Sequence, residues 1–234
     1  MSSRKIIIKK EPKKITRIGF IIPTTSNKRI WKKVEHMDFF QKVFSSFIKT
    51  YKKQGNFEYF FYLGYDDDDD YFIRNREKII EHFNSIKGEN MKLSLNKMVG
   101  MKSKVGKIWS SLAEIASKDC EYLYQLGDDI VMLTSGWEDA FIKKLSETNN
   151  VGVTGPNDIN NRINLLTQSF VHITHLKIFG KYYPDEIINW YIDDWITEIY
   201  KATPIENIKV KNCGGHPRYN IINDKKNFLR VLKK

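Results

Sequence analysis

Tyr124-Gln125-Leu126-Gly127-Asp128-Asp129-Ile130-Val131 is the stretch on which the reading of this chain turns. The apolar run from Tyr122 to Leu126 is short and unbroken, the pattern of a strand buried on both faces of a parallel sheet. It ends in two adjacent carboxylates, and Ile130 to Leu133 then resumes β character. Neighbouring carboxylates at the end of a buried strand repel each other, and a hard divalent cation with oxygen ligands is the simplest group to offset that. Asp128 and Asp129 point to different sides of the chain, so one can hold a metal while the other meets a ligand hydroxyl or a phosphate-bound water. Asp129 is the first choice of metal ligand, with Asp128 beside it. The bland alternative is an Asp-rich solvated turn.

Working outward, the same alternation of short apolar runs and helical patterns covers the chain. Ile18 to Ile22 reads as a buried strand stopped by Pro23, followed by the polar loop Thr24-Thr25-Ser26-Asn27. Apolar positions at 3–4 spacing from Trp31 to Tyr51 predict a long helix. Phe57 to Leu63 is a second strand, closed by Gly64, Tyr65 and the run Asp66 to Asp70. Helices are expected over 74–87 and 105–118, with a strand at Met91, Leu93 and Leu95 between them. Ser135 is placed to cap a helix carrying Trp137, Phe141 and Leu145. A short strand is expected at Val151 to Val153, and a helix from Asp193 to Lys201. Strands alternating with helices predict an α/β fold: one mostly parallel central sheet with helices on both faces. Ligands in such folds sit beyond the carboxyl ends of the strands, which is where the polar and acidic clusters fall.

The chain has 234 residues, enough for one α/β domain with a sizeable core, and 41% of them are hydrophobic, which excludes a disordered chain. Two cysteines, Cys120 and Cys213, cannot form a disulfide scaffold or a four-ligand zinc site and fit a reducing compartment. No apolar stretch is long enough to span a bilayer. The expectation is a cytoplasmic protein without a membrane span. The net charge of +11 points first to nucleic acid. Yet the chain has 31 Lys against 8 Arg, with 30 Ile and 18 Asn, the residues an AT-rich coding sequence favours. Much of the rest of the charge sits in the first residues, so 1–16 reads as a basic flexible arm and 17–234 as the domain.

Over roughly residues 17–222 the order of these features resembles a nucleotide-sugar glycosyltransferase of the single-domain, Rossmann-like A fold, similar to family 2. Ile18–Thr25 stands as first strand and nucleotide loop, Phe60–Asp66 as second strand with an acidic end, and Lys104–Ala116 as the helix before the metal strand. Gly127-Asp128-Asp129 stands where the family has Asp-x-Asp, with Gly127 in place of the first Asp and its ribose contact. Gly136-Trp137, His175–Gly180 and Asn189–Trp195 also look like small glycosyltransferase domains of large DNA viruses, for which a host-cytoplasm location is expected. Gly-Asp-Asp between hydrophobic strands resembles the metal hairpin of viral RNA polymerases too, but the chain is too short for fingers and thumb.

The transferase resemblance implies a UDP-type sugar donor, a glycan or other hydroxyl acceptor, and bound Mn²⁺ or Mg²⁺ to neutralise the departing diphosphate. Pro23, Thr24 and Thr25 would meet the nucleoside, and Asp66 or Asp67 would accept from base or ribose. Lys104 and Lys107, near a helix N-terminus, would add positive charge by the diphosphate. Asp193 and Asp194 would supply the general base that takes the acceptor's proton in an inverting displacement, Asp194 by motif position. His216 would be a third metal ligand and Arg218 a phosphate partner. His172 and His175 read as structural. Asp66, Asp68, Asp70 and Glu77 match a calcium-loop spacing, but Tyr71 stands where its sharp turn needs glycine. The competing reading is a nucleic-acid-binding protein using the basic surface, against which the acidic strand ends argue.

Overall fold

The computed structural model describes residues 14–161, 164–214, 218–220 and 222–233. Most of the basic arm and His216 lie outside the described residues. Five strands form the main sheet in the order β3-β2-β1-β4-β7: β1 (Thr16–Pro23), β2 (Phe57–Asp66), β3 (Met91–Met98), β4 (Tyr122–Gln125) and β7 (Ser169–His172). The first four are parallel and β7 is antiparallel to β4. Register sets Pro23 beside Gly64 and Ile21 beside Gln125, so the carboxyl ends of β1, β2 and β4 open on one rim.

Alternation along β1 explains the two covering layers. Ile18, Phe20 and Ile22 join one buried cluster, and Ile21 joins the other. Phe20 stacks on Phe61 with centroids 4.8 Å apart and meets Phe47, Tyr124 and Trp137. Helices α1 (Ser45–Thr50), α2 (Asp70–Ile86) and α4 (Trp137–Ser146) cover that aromatic face. On the other face α3 (Val105–Ala116) lays Ile108, Leu112, Ala113 and Ala116 on the sheet, with α5 (Thr174–Phe179) and α6 (Ile192–Tyr200) beyond. Glycines let α3 approach: a Cβ on Gly64 would lie 2.8 Å from Ile108 Cγ2, and one on Gly19 3.3 Å from the Ala116 Cβ.

A smaller sheet of order β5-β8-β6 joins β5 (Ile130–Met132), β6 (Pro156–Asp158) and β8 (Ile205–Asn212), and α7 (Lys225–Val231) follows. β4 and β5, the strands around Gly127-Asp128-Asp129, therefore lie in different sheets and do not make the polymerase-type hairpin. Other elements differ from expectation at their edges. The helix expected from Trp31 is a 3₁₀ turn at Val34–His36, then π-helix over Phe39–Phe44 running into α1. Trp31 itself packs on Tyr71 and Phe72 instead. Gly136 (φ 79°), not Ser135, is the N-cap of α4. Val151–Val153 forms no strand; Thr154 makes one bridge to Phe170 and β6 begins at Pro156.

Candidate active site

The rim formed by β1, β2 and β4 opens into a cavity of about 260 Å³ lined by residues of the first-strand loop, the Asp66 strand end, the start of α3 and the Asp128-Asp129 corner. Pro23, Thr24, Thr25, Asp66, Lys104, Asp128, Asp129 and Arg218 all reach it, so eight of the expected site residues converge. Lys107 does not: it lines a separate groove with Ser110, Ser111 and Glu114 on the outer side of α3. Asp67 also falls away from the lining and accepts from the Gly100 N–H at 3.2 Å.

The corner itself assigns different work to its two carboxylates. Asp128 is buried, and both of its oxygens are taken: Thr24 Oγ1 donates to one at 2.7 Å and Arg29 Nη2 pairs with the other at 2.6 Å. Arg29 also pairs with Asp38. Burial pushes the Asp128 carboxyl up to about 6, opposed by the Arg29 guanidinium. Asp128 thus ties the β4 end to the β1 loop, and in its expected place as a metal or donor ligand it would compete with Thr24 and Arg29 for its oxygens. Asp129 lines the cavity as well, between two glycines. A Cβ on Gly127 would come 2.8 Å from its Oδ1, and one on Gly214 2.6 Å from its Oδ2. Gly127, the departure from Asp-x-Asp, leaves the space the Asp129 carboxylate occupies.

Among the described residues no three His, Cys, Asp or Glu side chains converge as a metal cage. Asp129 nevertheless fits Mg²⁺ or Mn²⁺ of the kind held by one or two carboxylates together with a substrate's phosphate oxygens.

The five aspartates divide their labour by position. Asp66 ends β2 and accepts from the Tyr219 hydroxyl; burial raises its pKa, and that hydrogen bond opposes the rise. Asp68 pairs with Lys102 at 2.6 Å and Asp70 with Arg74 at 3.0 Å, both at the surface. Asp69 is buried. It caps α2 by accepting from the Phe72 N–H and also takes bonds from Ser26 N at 2.7 Å and Ser26 Oγ at 2.7 Å. Tyr219 further meets Thr25 Oγ1 at 3.0 Å, and Asn27 Nδ2 donates to the Arg218 carbonyl at 2.6 Å. The segment 218–220 is therefore fastened to the first-strand loop.

A second cavity adjoins the first through the shared residues Val105, Trp109, Asn189 and Trp190, and it contains Asp193 and Asp194. Both carboxylates lie in the first turn of α6, where Asp193 Oδ1 accepts from the Asp194 N–H at 3.2 Å. Tyr191 is the N-cap of α6. Burial, and then the neighbouring Asp194 charge, push the Asp193 carboxyl up to about 6. His175 is a core group: its ring lies 2.9 Å from both the Tyr200 hydroxyl and the Tyr182 carbonyl, and burial lowers its pKa to about 4.

Sequence reasoning missed Arg29, Asp69, Trp109 and Tyr219. Arg29 alone left a signal: it is one of few arginines in a lysine-rich chain, set in the loop after the first strand.

No protein-family model matches the chain, and no curated protein matches it. Solved structures do. Residues 1–349 of S. aureus TarS in complex with UDP-GlcNAc superpose with a TM-score of 0.59 at 13% identity, over 93% of this chain and 65% of that one. TarS in a longer form gives a TM-score of 0.58 at 13% identity, over 93% and 39%. The 1–349 complex with UDP gives 0.52 at 13% identity, over 86% and 59%. The chain thus spans between 39% and 65% of the length of these structures. At that identity the likeness shows the fold alone, a single-domain α/β fold with a mostly parallel central sheet.

Proposed function

We propose that the chain is a glycosyltransferase that moves a sugar from a UDP-type nucleotide donor to a glycan or other hydroxyl acceptor, by an inverting single displacement. The observation that carries the reading is the pair of joined cavities, one holding Asp129 and the other Asp193-Asp194. The UDP and UDP-GlcNAc complexes of TarS support a UDP-sugar donor. In this reading Thr25 and Asp66 face the nucleoside, while Lys104 and Arg218 face the diphosphate. Asp129 would hold Mn²⁺ or Mg²⁺, and the ion would supply Lewis-acid assistance to the departing diphosphate. Asp194 accepts the acceptor's proton as its oxygen attacks the anomeric carbon from the face opposite the diphosphate. Two free thiols, Cys120 and Cys213, suit a reducing cytoplasm, and the lysine-, isoleucine- and asparagine-rich composition suits a large DNA virus as source.

Calorimetry with UDP, with and without Mn²⁺, tests the reading. Wild type is expected to bind UDP more tightly with the ion, and Asp129→Ala to lose that gain. Metal-independent binding in both proteins would remove the ion from the mechanism, and no UDP binding at all would remove the donor. Asp194→Asn is expected to keep UDP binding and lose transfer.

A further inference from the structure

Trp190 is half exposed (51%) and lines both cavities at their junction. It is held there from both sides. Before it, the Ile188 and Asn189 N–H groups donate to the buried Asp224 carboxylate at 2.7 and 3.2 Å. After it, Tyr191 adopts φ +74°, a left-handed conformation costing a non-glycine residue about 1–3 kcal/mol, and stacks on Phe228 at 5.4 Å. Backbone strain and a buried carboxylate thus fix an exposed ring beside Asp193 and Asp194.

The lining of this second cavity states what it can hold. Thr167, Asn189 and Asn212 offer neutral hydrogen-bonding groups, and the only charged side chains lining it among the described residues are the two carboxylates. An aromatic platform, neutral polar groups and carboxylates suit a polyhydroxylated pyranose, whose C–H face stacks on an indole and whose hydroxyls donate to carboxylates. An anionic acceptor would place its charge against two carboxylates in a partly desolvated groove. We infer that this groove binds a neutral sugar residue as acceptor, stacked on Trp190 with a hydroxyl directed at Asp193-Asp194, and that it rejects phosphorylated or uronic-acid acceptors. The inference rests on the transferase reading.

Saturation-transfer NMR tests it, using neutral disaccharides of glucose, galactose, mannose and N-acetylglucosamine and their 6-phosphate or uronate counterparts, with and without UDP. At least one neutral disaccharide is expected to bind, its charged counterpart about tenfold more weakly or not at all. Trp190→Ala is expected to weaken neutral-sugar binding about tenfold, more than it weakens UDP binding by calorimetry, with Trp190→Phe restoring part of the sugar binding. Equal binding of charged counterparts, undiminished binding by Trp190→Ala, or binding of no neutral sugar by a protein that does bind UDP would each overturn the inference. Loss of UDP binding in wild type with sugar binding retained would overturn the donor assignment and leave the sugar groove standing.

Discussion

Asp193 and Asp194 sit side by side in the first turn of α6, and burial of the Asp193 carboxyl, then its neighbour's charge, costs stability. In the folded chain the Asp193 carboxyl is raised from 3.8 to about 6, so the native state holds its proton more tightly than the unfolded state does. The stability this contributes is complete below about pH 4 and is lost as pH rises through about 6. Asp193→Asn keeps the Oδ1 that accepts from the Asp194 N–H but has no charge to desolvate. It is expected to stabilise the protein at pH 7.5 by about 1–2 kcal/mol, below the full linkage value because the side chain is partly open to solvent, and to be neutral near pH 4. Urea unfolding at the two pH values checks this; an equal gain at both would mean the carboxylate is not the cause. At this scale the sequence was legible where strand position alone brings a residue to the rim, as it does Thr24, Asp66 and Asp129. It was illegible where the partner comes from far along the chain. Asp128 looked like a ligand because nothing local shows that Arg29, 99 residues away, already fills its second oxygen. Asp66 likewise meets Tyr219 at a separation of 153 residues.

Among the elements, α3 connects the sheet to both cavities. Its Gly106 N–H donates to the Ile188 carbonyl at 2.9 Å, and a Cβ at Gly106 would lie 3.0 Å from the Ile187 carbonyl oxygen and 3.1 Å from that of Ile188. Those are backbone oxygens in the segment anchored by Asp224, so they cannot swing aside as a side-chain tip would. Gly106→Ala is expected to push the start of α3 from this segment, costing about 1–3 kcal/mol and weakening UDP binding as Lys104 moves with it. A lower melting temperature together with lower UDP affinity would bear this out, and an unchanged melting temperature would show that the contact gives way. The amphipathic spacing of α3 and the unbroken apolar runs of β1, β2 and β4 made these elements readable, since periodicity reports which face is buried. Periodicity does not report which sheet a strand joins. β4 and β5 are separated by four residues yet pair in different sheets, and the Trp31 end of the expected first helix is drawn off to Tyr71 and Phe72.

For the whole molecule, the net charge of +11 is not concentrated at the candidate site. Among the described residues the first cavity is lined by three basic side chains, Arg29, Lys104 and Arg218, against three acidic ones, Asp66, Asp128 and Asp129. A nucleotide diphosphate bound there gains from placed contacts and not from a large positive field, whereas a nucleic acid would gain from the basic surface and lose it steeply with salt. The two cases separate in a thermal experiment, because any ligand that binds only the folded chain raises its melting temperature. UDP at a hundred times its Kd adds about 2.7 kcal/mol, which for a domain of this size corresponds to a rise of about 5–10 °C. With Mn²⁺ present, that rise is expected to change little between 50 and 200 mM NaCl, conditions over which nucleic-acid affinities commonly fall by orders of magnitude. A single-stranded oligonucleotide at the same nucleotide-equivalent concentration is expected to give a smaller rise that disappears at the higher salt. If instead the oligonucleotide stabilises the chain more than UDP does, and keeps doing so at 200 mM NaCl, the basic surface is the functional one and the acidic rim is not a donor site.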